Sequence, residues 1–265
     1  MLDRVAAKEI VREANSGRTR PLIVSLDQVG NQPVQAFCKI SEGLEEGVLG
    51  LGMEVVAACL ATYLPVPVPR SYLVDLPPAL LDVVGDAGLA SRIRASSSVG
   101  FGSALVPGPL GVWHGGRTVS KTVLPSALGA FVFDAVIENV DRRSENPNCL
   151  VTGEEIWMID HELAFPRNLI ERRALPWEVG GLQWLTDPGR HIFLEQLRKH
   201  ARRLDFRPVR SAWAALSDQC LDGIRAEIPQ EWSESLPAVD QALVRVRQAR
   251  DNINGVIAEA RRVLT

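Results

Sequence analysis

Over the first forty positions apolar side chains gather in three short runs, Lys8 to Ala14, Leu22 to Leu26 and Val34 to Ile40. The breaks between them, Asn15-Ser16-Gly17 and Gly30-Asn31, hold residues that tolerate positive φ, so the pattern predicts antiparallel strands joined by tight turns. From Gly50 to Leu64 the period changes. Leu51, Val55, Ala58, Cys59 and Thr62 or Tyr63 recur at helical spacing and predict a helix that stops before Pro65. Val66-Pro67-Val68-Pro69 then sets an extended entry into Arg70 to Asp75, whose β-branched and aromatic residues favour a strand. The N-terminal order is therefore β-β-β-α-β.

Beyond this point the pattern predicts a short helical insertion over residues 77 to 93, after Pro77-Pro78. Residues 96 to 118 are rich in Ser, Gly and Pro with little periodicity, which predicts an irregular connection and a boundary near Leu105 to Pro107. The remainder reads as an apolar helix from Leu128 to Asn139, a short strand from Ile156 to Ile159, and amphipathic helical stretches over 190 to 204, 208 to 227 and 237 to 264. The predicted class is α+β, with a small strand-rich part (1–107) followed by a larger helical part (108–265) and a ligand-sized cleft between them. The last amphipathic stretch, with Val239, Leu243, Val246, Ile253 and Ile257, is expected to pack on its own helical neighbours, with docking on a partner protein as the other reading.

Composition adds bounds. At 265 residues the chain holds one large domain or two smaller units, and 46% hydrophobic with 23% charged residues is ordinary globular usage. The net charge of -3 gives no electrostatic reason for nonspecific nucleic-acid binding. Cys38, Cys59, Cys149 and Cys220 lie far apart in apolar contexts without C-x-x-C spacing, so reduced thiols and a cytoplasmic location are expected. No apolar run reaches the length of a membrane span.

The chemistry concentrates in 139-NVDRRSENPNCLV-151 and 156-IWMIDHELAF-165. Asp141 stands in a polar loop after an apolar helix, Asn146 follows five positions on, and Asp160 ends a hydrophobic strand. This set suits phosphoryl transfer: one carboxylate orients a hydroxyl and accepts its proton, while Asn146 and Asp160 supply hard oxygen ligands for Mg²⁺. Taken singly, each residue would pass for a cap or turn residue.

These two segments resemble the HipA-like kinases and, at greater distance, the type II phosphatidylinositol 4-kinases, which share a D-R-x-x-x-N loop. The likeness extends to 34-VQAFCKI-40, to 53-MEVVAACLATYLPVPVPRSYLVDL-76 and, less specifically, to Pro176-Trp177, His191 and 228-IPQEWSESLP-237. It implies a two-lobed protein-kinase-like fold that binds ATP with Mg²⁺. It also implies that Lys39 is the strand lysine contacting phosphate, Glu54 its helix partner, Asp141 the catalytic base, and Asn146 and Asp160 the metal ligands. Arg142 is expected to position the loop or the substrate, Asn148 to brace the loop while pointing away from Asn146, and His161 to orient the Asp160 carboxylate, with a hydrogen bond to phosphate as its other reading.

The chain departs from the usual kinases in having no G-x-G-x-x-G and no Walker motif. The turn Asn15 to Arg20, with Ser16, Gly17, Arg18 and Thr19, lies where a phosphate-covering hairpin would sit, and reads equally well as an exposed hairpin. Gly100-Phe101-Gly102 is a second candidate for close approach to a ligand, though an irregular connection is the favoured reading. The resemblance favours a protein Ser/Thr acceptor; a lipid kinase, a nucleotide-binding pseudokinase, an interaction module and a toxin-antitoxin or other complex partner stay open. Ser96, Ser97 and Ser98 are candidates for autophosphorylation, with a polar loop as the favoured reading.

Overall fold

The computed structural model describes residues 2–14, 18–29, 32–82, 84–166 and 174–265, without the side chains of 28, 29, 32 and 33. The two predicted turns at 15–17 and 30–31 lie outside these residues. Strands β1 (Asp3–Glu13), β2 (Leu22–Val29) and β3 (Gln32–Lys39) run antiparallel as the three apolar runs and their breaks predict, and helix α1 (Val48–Tyr63) follows. Strand β4 (Ser71–Asp75) then pairs in parallel with β1.

The stretch read as an irregular connection contains a strand. Residues Val99–Ala104 form β5, which pairs antiparallel with both β3 and β4 and closes a barrel in the order β1-β2-β3-β5-β4. Its glycines concealed it, because the barrel interior leaves them no room for a side chain. A Cβ on Gly100 would lie 2.6 Å from Cys38 Sγ, and one on Gly102 2.6 Å from Val74 Cγ2. Gly-Phe-Gly is therefore a period-two strand pattern with its small residues turned inward.

The insertion after Pro77 also differs from the expectation. The two prolines make a single 3-10 turn over Pro78–Leu80, and the helix α2 starts only at Ala87–Ala95, where Asp86 Oδ1 caps the Leu89 amide at 2.9 Å. Ser96 and Ser97 lead from α2 into β5 with their hydroxyls engaged: Ser96 donates to the Arg92 carbonyl at 2.9 Å and Ser97 accepts from the Trp232 indole at 3.1 Å.

The rest is helical around one small sheet. Strands β6 (Gly111–Val112), β7 (Cys149–Thr152) and β8 (Glu155–Met158) form the sheet, and helix α3 (Leu124–Val136) precedes β7 and β8. Helix α3 begins four residues before the predicted start, at a proline in its first turn, where the missing N–H costs nothing. The three long amphipathic stretches are broken. They give α4 (Leu194–Lys199), then α5 (Arg207–Ala214) and α6 (Asp218–Ala226) separated by the Ser217 cap, then α7 (Leu236–Asp251) and α8 (Ile253–Leu264) meeting at Asn252.

Two cores result. One fills the barrel with Leu22, Val24, Leu26, Ala36, Cys38, Tyr72 and Val74. The larger joins α1 to α3 and the C-terminal helices, and it takes up Val239, Leu243, Val246, Ile253 and Ile257. The terminal stretch thus packs within the chain. Cys38, Cys59, Cys149 and Cys220 are all free thiols. Among the described residues no helix is long and apolar enough to cross a membrane.

Candidate functional site

Strand alternation places Lys39. Cys38 faces the barrel interior, so Lys39 leaves the opposite face, toward α1 and the loop after β8. Glu54 sits in a helix buried over twelve consecutive residues and is itself only 2% exposed. A carboxylate there must be paired to remain charged. Lys39 Nζ lies 2.6 Å from Glu54 Oε1, 2.6 Å from Asp160 Oδ1 and 2.8 Å from Glu162 Oε2, so all three ammonium protons meet carboxylates.

The electrostatics follow from this count. Burial disfavours the Lys39 ammonium, but the three carboxylates, Glu54 foremost, outweigh it and raise its pKa. Glu54 is held well below the usual carboxylate range, because the charge of Lys39 overcomes its own burial. Glu162 goes the other way: burial raises it, and the neighbouring Asp160 adds to the effect.

The Asp160 loop is fixed by its backbone. Asp160 adopts φ 62°, Ile159 donates to the Asn148 carbonyl at 3.0 Å, and the His161 amide donates to Glu54 Oε1 at 3.0 Å. Asp160 remains the most open of the three carboxylates, its side chain 29% exposed against 3% for Glu54 and 6% for Glu162. His161 does not orient Asp160 as expected. Its Nε2 accepts from Arg142 Nη2 at 2.8 Å, since a guanidinium can only donate, and its Nδ1 faces Glu54 at 3.8 Å.

Asp141 lies in the loop after α3, with one oxygen committed. Asn146 Nδ2 donates to Asp141 Oδ2 at 2.7 Å, and Asn148 Nδ2 donates to the same oxygen at 3.2 Å. The expectation that Asn148 points away from Asn146 is corrected. Asn148 adopts φ 44°, which breaks strand alternation and brings both amides to one carboxylate. Among the described residues Asp141 Oδ1 has Arg143 Nη2, at 3.5 Å, as its side-chain partner. No hydrogen bond joins Asn146 to Asp160 among the described residues.

Arg142 is wholly buried and braces this loop from beneath. Its Nε donates to Asp134 Oδ2 at 2.6 Å, and Nη1 donates to the carbonyls of Asn148 and of Ile159, the latter at 3.2 Å. Asp134, on α3, also accepts from Asn139 Nδ2 at 2.9 Å and from His191 Nε2 at 3.0 Å. Although burial opposes its charge, Arg142 holds the Asp134 carboxyl well below the usual range. His191 is kept neutral, its pKa lowered by burial, and its Nδ1 accepts from the Phe193 amide at 3.2 Å. One buried network thus ties α3, the Asp141 loop and the Asp160 loop together.

Beside Lys39 opens a cavity of about 260 Å³. Phe37, Ala58, Val68, Phe101, Leu150 and Met158 give it apolar walls, while Lys39, Asn148 and Asp160 mark its polar end. Of the hairpin residues, Thr19 lines this cavity, whereas Arg18 is exposed and paired with Glu45. Ser16 and Gly17 lie outside the described residues.

Sequence reasoning missed Glu162 and Asp134. Glu162 follows Asp160 and His161 just ahead of Leu163-Ala164, and Asp134 is a single acid in the apolar run Phe133-Asp134-Ala135-Val136. That pattern is itself a signal, because an acid there must find a buried cation. As for a metal, ligand oxygens of Glu54, Asp160 and Glu162 lie within 4.8 Å of one another. All three already meet Lys39, and the most open of them, Asp160, is the carboxylate whose oxygen suits a hard divalent cation such as Mg²⁺.

A comparison with curated proteins returned no match. A protein-family model described as HipA-like kinase matches residues 7–260, nearly the whole chain, and so takes in every group described above. On that match the chain belongs to the HipA-like kinase family.

Proposed function

We propose that this chain is an ATP- and Mg²⁺-dependent kinase that transfers the γ-phosphoryl group to a Ser or Thr hydroxyl of a protein in the cytoplasm. In this reading residues 1–107 form an N-lobe and 108–265 a C-lobe. The observation that carries it is the meeting of Lys39 with Glu54 and Asp160, from a strand, a helix and a loop distant in sequence, at the mouth of an apolar cavity.

Each residue has a task its surroundings allow. The apolar walls suit a planar base, and Lys39 at the polar end suits the phosphates. Ala14, Thr19 and Pro21, next to the ends of β1 and β2, line the same cavity, which supports a phosphate contact from Thr19. Asp141 Oδ2 is occupied by two amides, which leaves Oδ1 to accept the proton of the acceptor hydroxyl. The residues that would hold Mg²⁺ are Asp160, the most open carboxylate, and Asn146 through the amide oxygen that its bond to Asp141 leaves available. When bound, the cation contributes neutralisation of phosphate charge.

The test is transfer of labelled phosphate from ATP with Mg²⁺ to proteins of a lysate, alongside Asp141→Ala. The expected result is transfer by the wild type, with Asp141→Ala retaining nucleotide binding and losing transfer by at least about a hundredfold. Nucleotide binding by the wild type without any transfer would replace this reading with a pseudokinase, and transfer to lipid alone would replace the acceptor.

A further inference from the structure

Lys39 carries three protons and meets three carboxylates, which leaves two negative charges uncompensated at the point where phosphate has to enter. The two guanidiniums of the Asp141 loop are committed elsewhere. Arg142 is turned to Asp134, His161 and two carbonyls, and Arg143 faces Asp141. The three acids are not held alike. Glu54 also accepts the His161 amide, and Asp160 is partly solvated. Glu162 is 4% exposed, and among the described residues its carboxylate has Lys39 as its hydrogen-bond partner and no other.

From this we infer that Glu162 is a positioning residue that contests Lys39 with the phosphates and thereby makes nucleotide binding depend on a divalent cation. The inference rests on the kinase reading above. A phosphate that arrives alone has to take a Lys39 proton from Asp160, the acid that can turn to water, and then stands beside Glu54 and Glu162, two buried anions that share one ammonium. A phosphate that arrives with a cation supplies counter-charge for the displaced acid. Glu54 has a second donor in the His161 amide, whereas among the described residues Glu162 has Lys39 alone and stays on it, so its charge competes most directly with phosphate for the ammonium.

The experiment is calorimetric titration of ADP into the full chain, once in excess EDTA and once in excess Mg²⁺, for wild type, Glu162→Gln and Glu162→Ala. Removing the charge should tighten metal-free ADP about tenfold, the worth of one charged hydrogen bond, and leave Mg²⁺-ADP within about threefold. The ratio of the two dissociation constants therefore falls about tenfold. Thermal melts show that the variants are folded, and Gln keeps the shape of Glu with an oxygen that still accepts from Lys39.

An unchanged ratio overturns the inference, as does a loss confined to the Mg²⁺ arm, which would make Glu162 a metal ligand. Wild-type chain that binds ADP equally with and without Mg²⁺ overturns it with no variant needed. Failure of the wild type to bind ADP in either arm is a different result: it removes the kinase reading, and this inference with it.

Discussion

Replacing Arg142 by Met tests whether the buried network holds the site together. Arg142 fills its volume with no exposed surface and donates to Asp134, to His161 and to the carbonyls of Asn148 and Ile159. Met roughly conserves the packed stem and deletes only the donors. The largest loss is at Asp134, whose carboxylate is fully buried and would keep two neutral donors, Asn139 and His191, but no cation. Breaking a buried pair from one side costs about 3–5 kcal/mol, which for a chain of this size lowers the melting temperature by roughly 6–20 °C. The assay is chemical and thermal unfolding of Arg142→Met, Asp134→Asn and the double variant. In the double variant the amide oxygen introduced by Asp134→Asn still accepts from His191 and carries no charge, so this variant should be more stable than Arg142→Met alone. A loss below about 1 kcal/mol for Arg142→Met would contradict this account, because that is the range of a surface ion pair. So would a double variant whose loss equals the sum of the singles, since groups in one network do not add.

Three further outcomes follow from the same geometry. Gly100→Ala should destabilise by about 1–3 kcal/mol, because its Cβ would meet Cys38 Sγ at 2.6 Å and the Lys39 carbonyl at 2.7 Å. Gly115→Ala, with nothing within 4 Å, is the control that should leave the melting temperature within about 2 °C of wild type. Lys39→Met should be least stable near neutral pH and recover on acidification toward about pH 4. Without the ammonium, Glu54 and Glu162 are buried anions whose folded pKa values rise above their unfolded ones, so protonation relieves them; a denaturation series from about pH 7 to about pH 4 reads this directly. His191 contributes in the sense set by its burial, which outweighs its bond to Asp134. Its folded pKa lies below the ordinary 6.5, so the unfolded chain takes up a proton first and stability falls as pH drops through 6.5; His191→Gln should flatten that part of the profile.

Much of the chain could be read from its pattern. The apolar runs that became β1 to β4, helical spacing in α1 and the proline that ends it are local properties, and the pattern along the chain encodes them directly. The loop 139-NVDRRSENPNCLV-151 and Asp160 were legible because the polar residues stand in order between apolar elements. The closing strand β5 was not legible, since its glycines answer to the Cβ space left by Cys38 and Val74 on other strands. The breaks between α5 and α6 and between α7 and α8 were hidden for a like reason: amphipathic period continues through a capped corner.

Within the site the division is the same. The residue types available to it and their order are written along the chain. How they meet is not. Asn148, through one positive φ, joins Asn146 on a single oxygen of Asp141, and Arg142 faces the interior rather than a substrate. Lys39 meets three acids rather than one, because Asp160 and Glu162 reach it from a loop 121 and 123 residues away. These arrangements come from folding in three dimensions, since charge compensation depends on distance in space and on burial, and neither is a property of neighbouring positions along the chain.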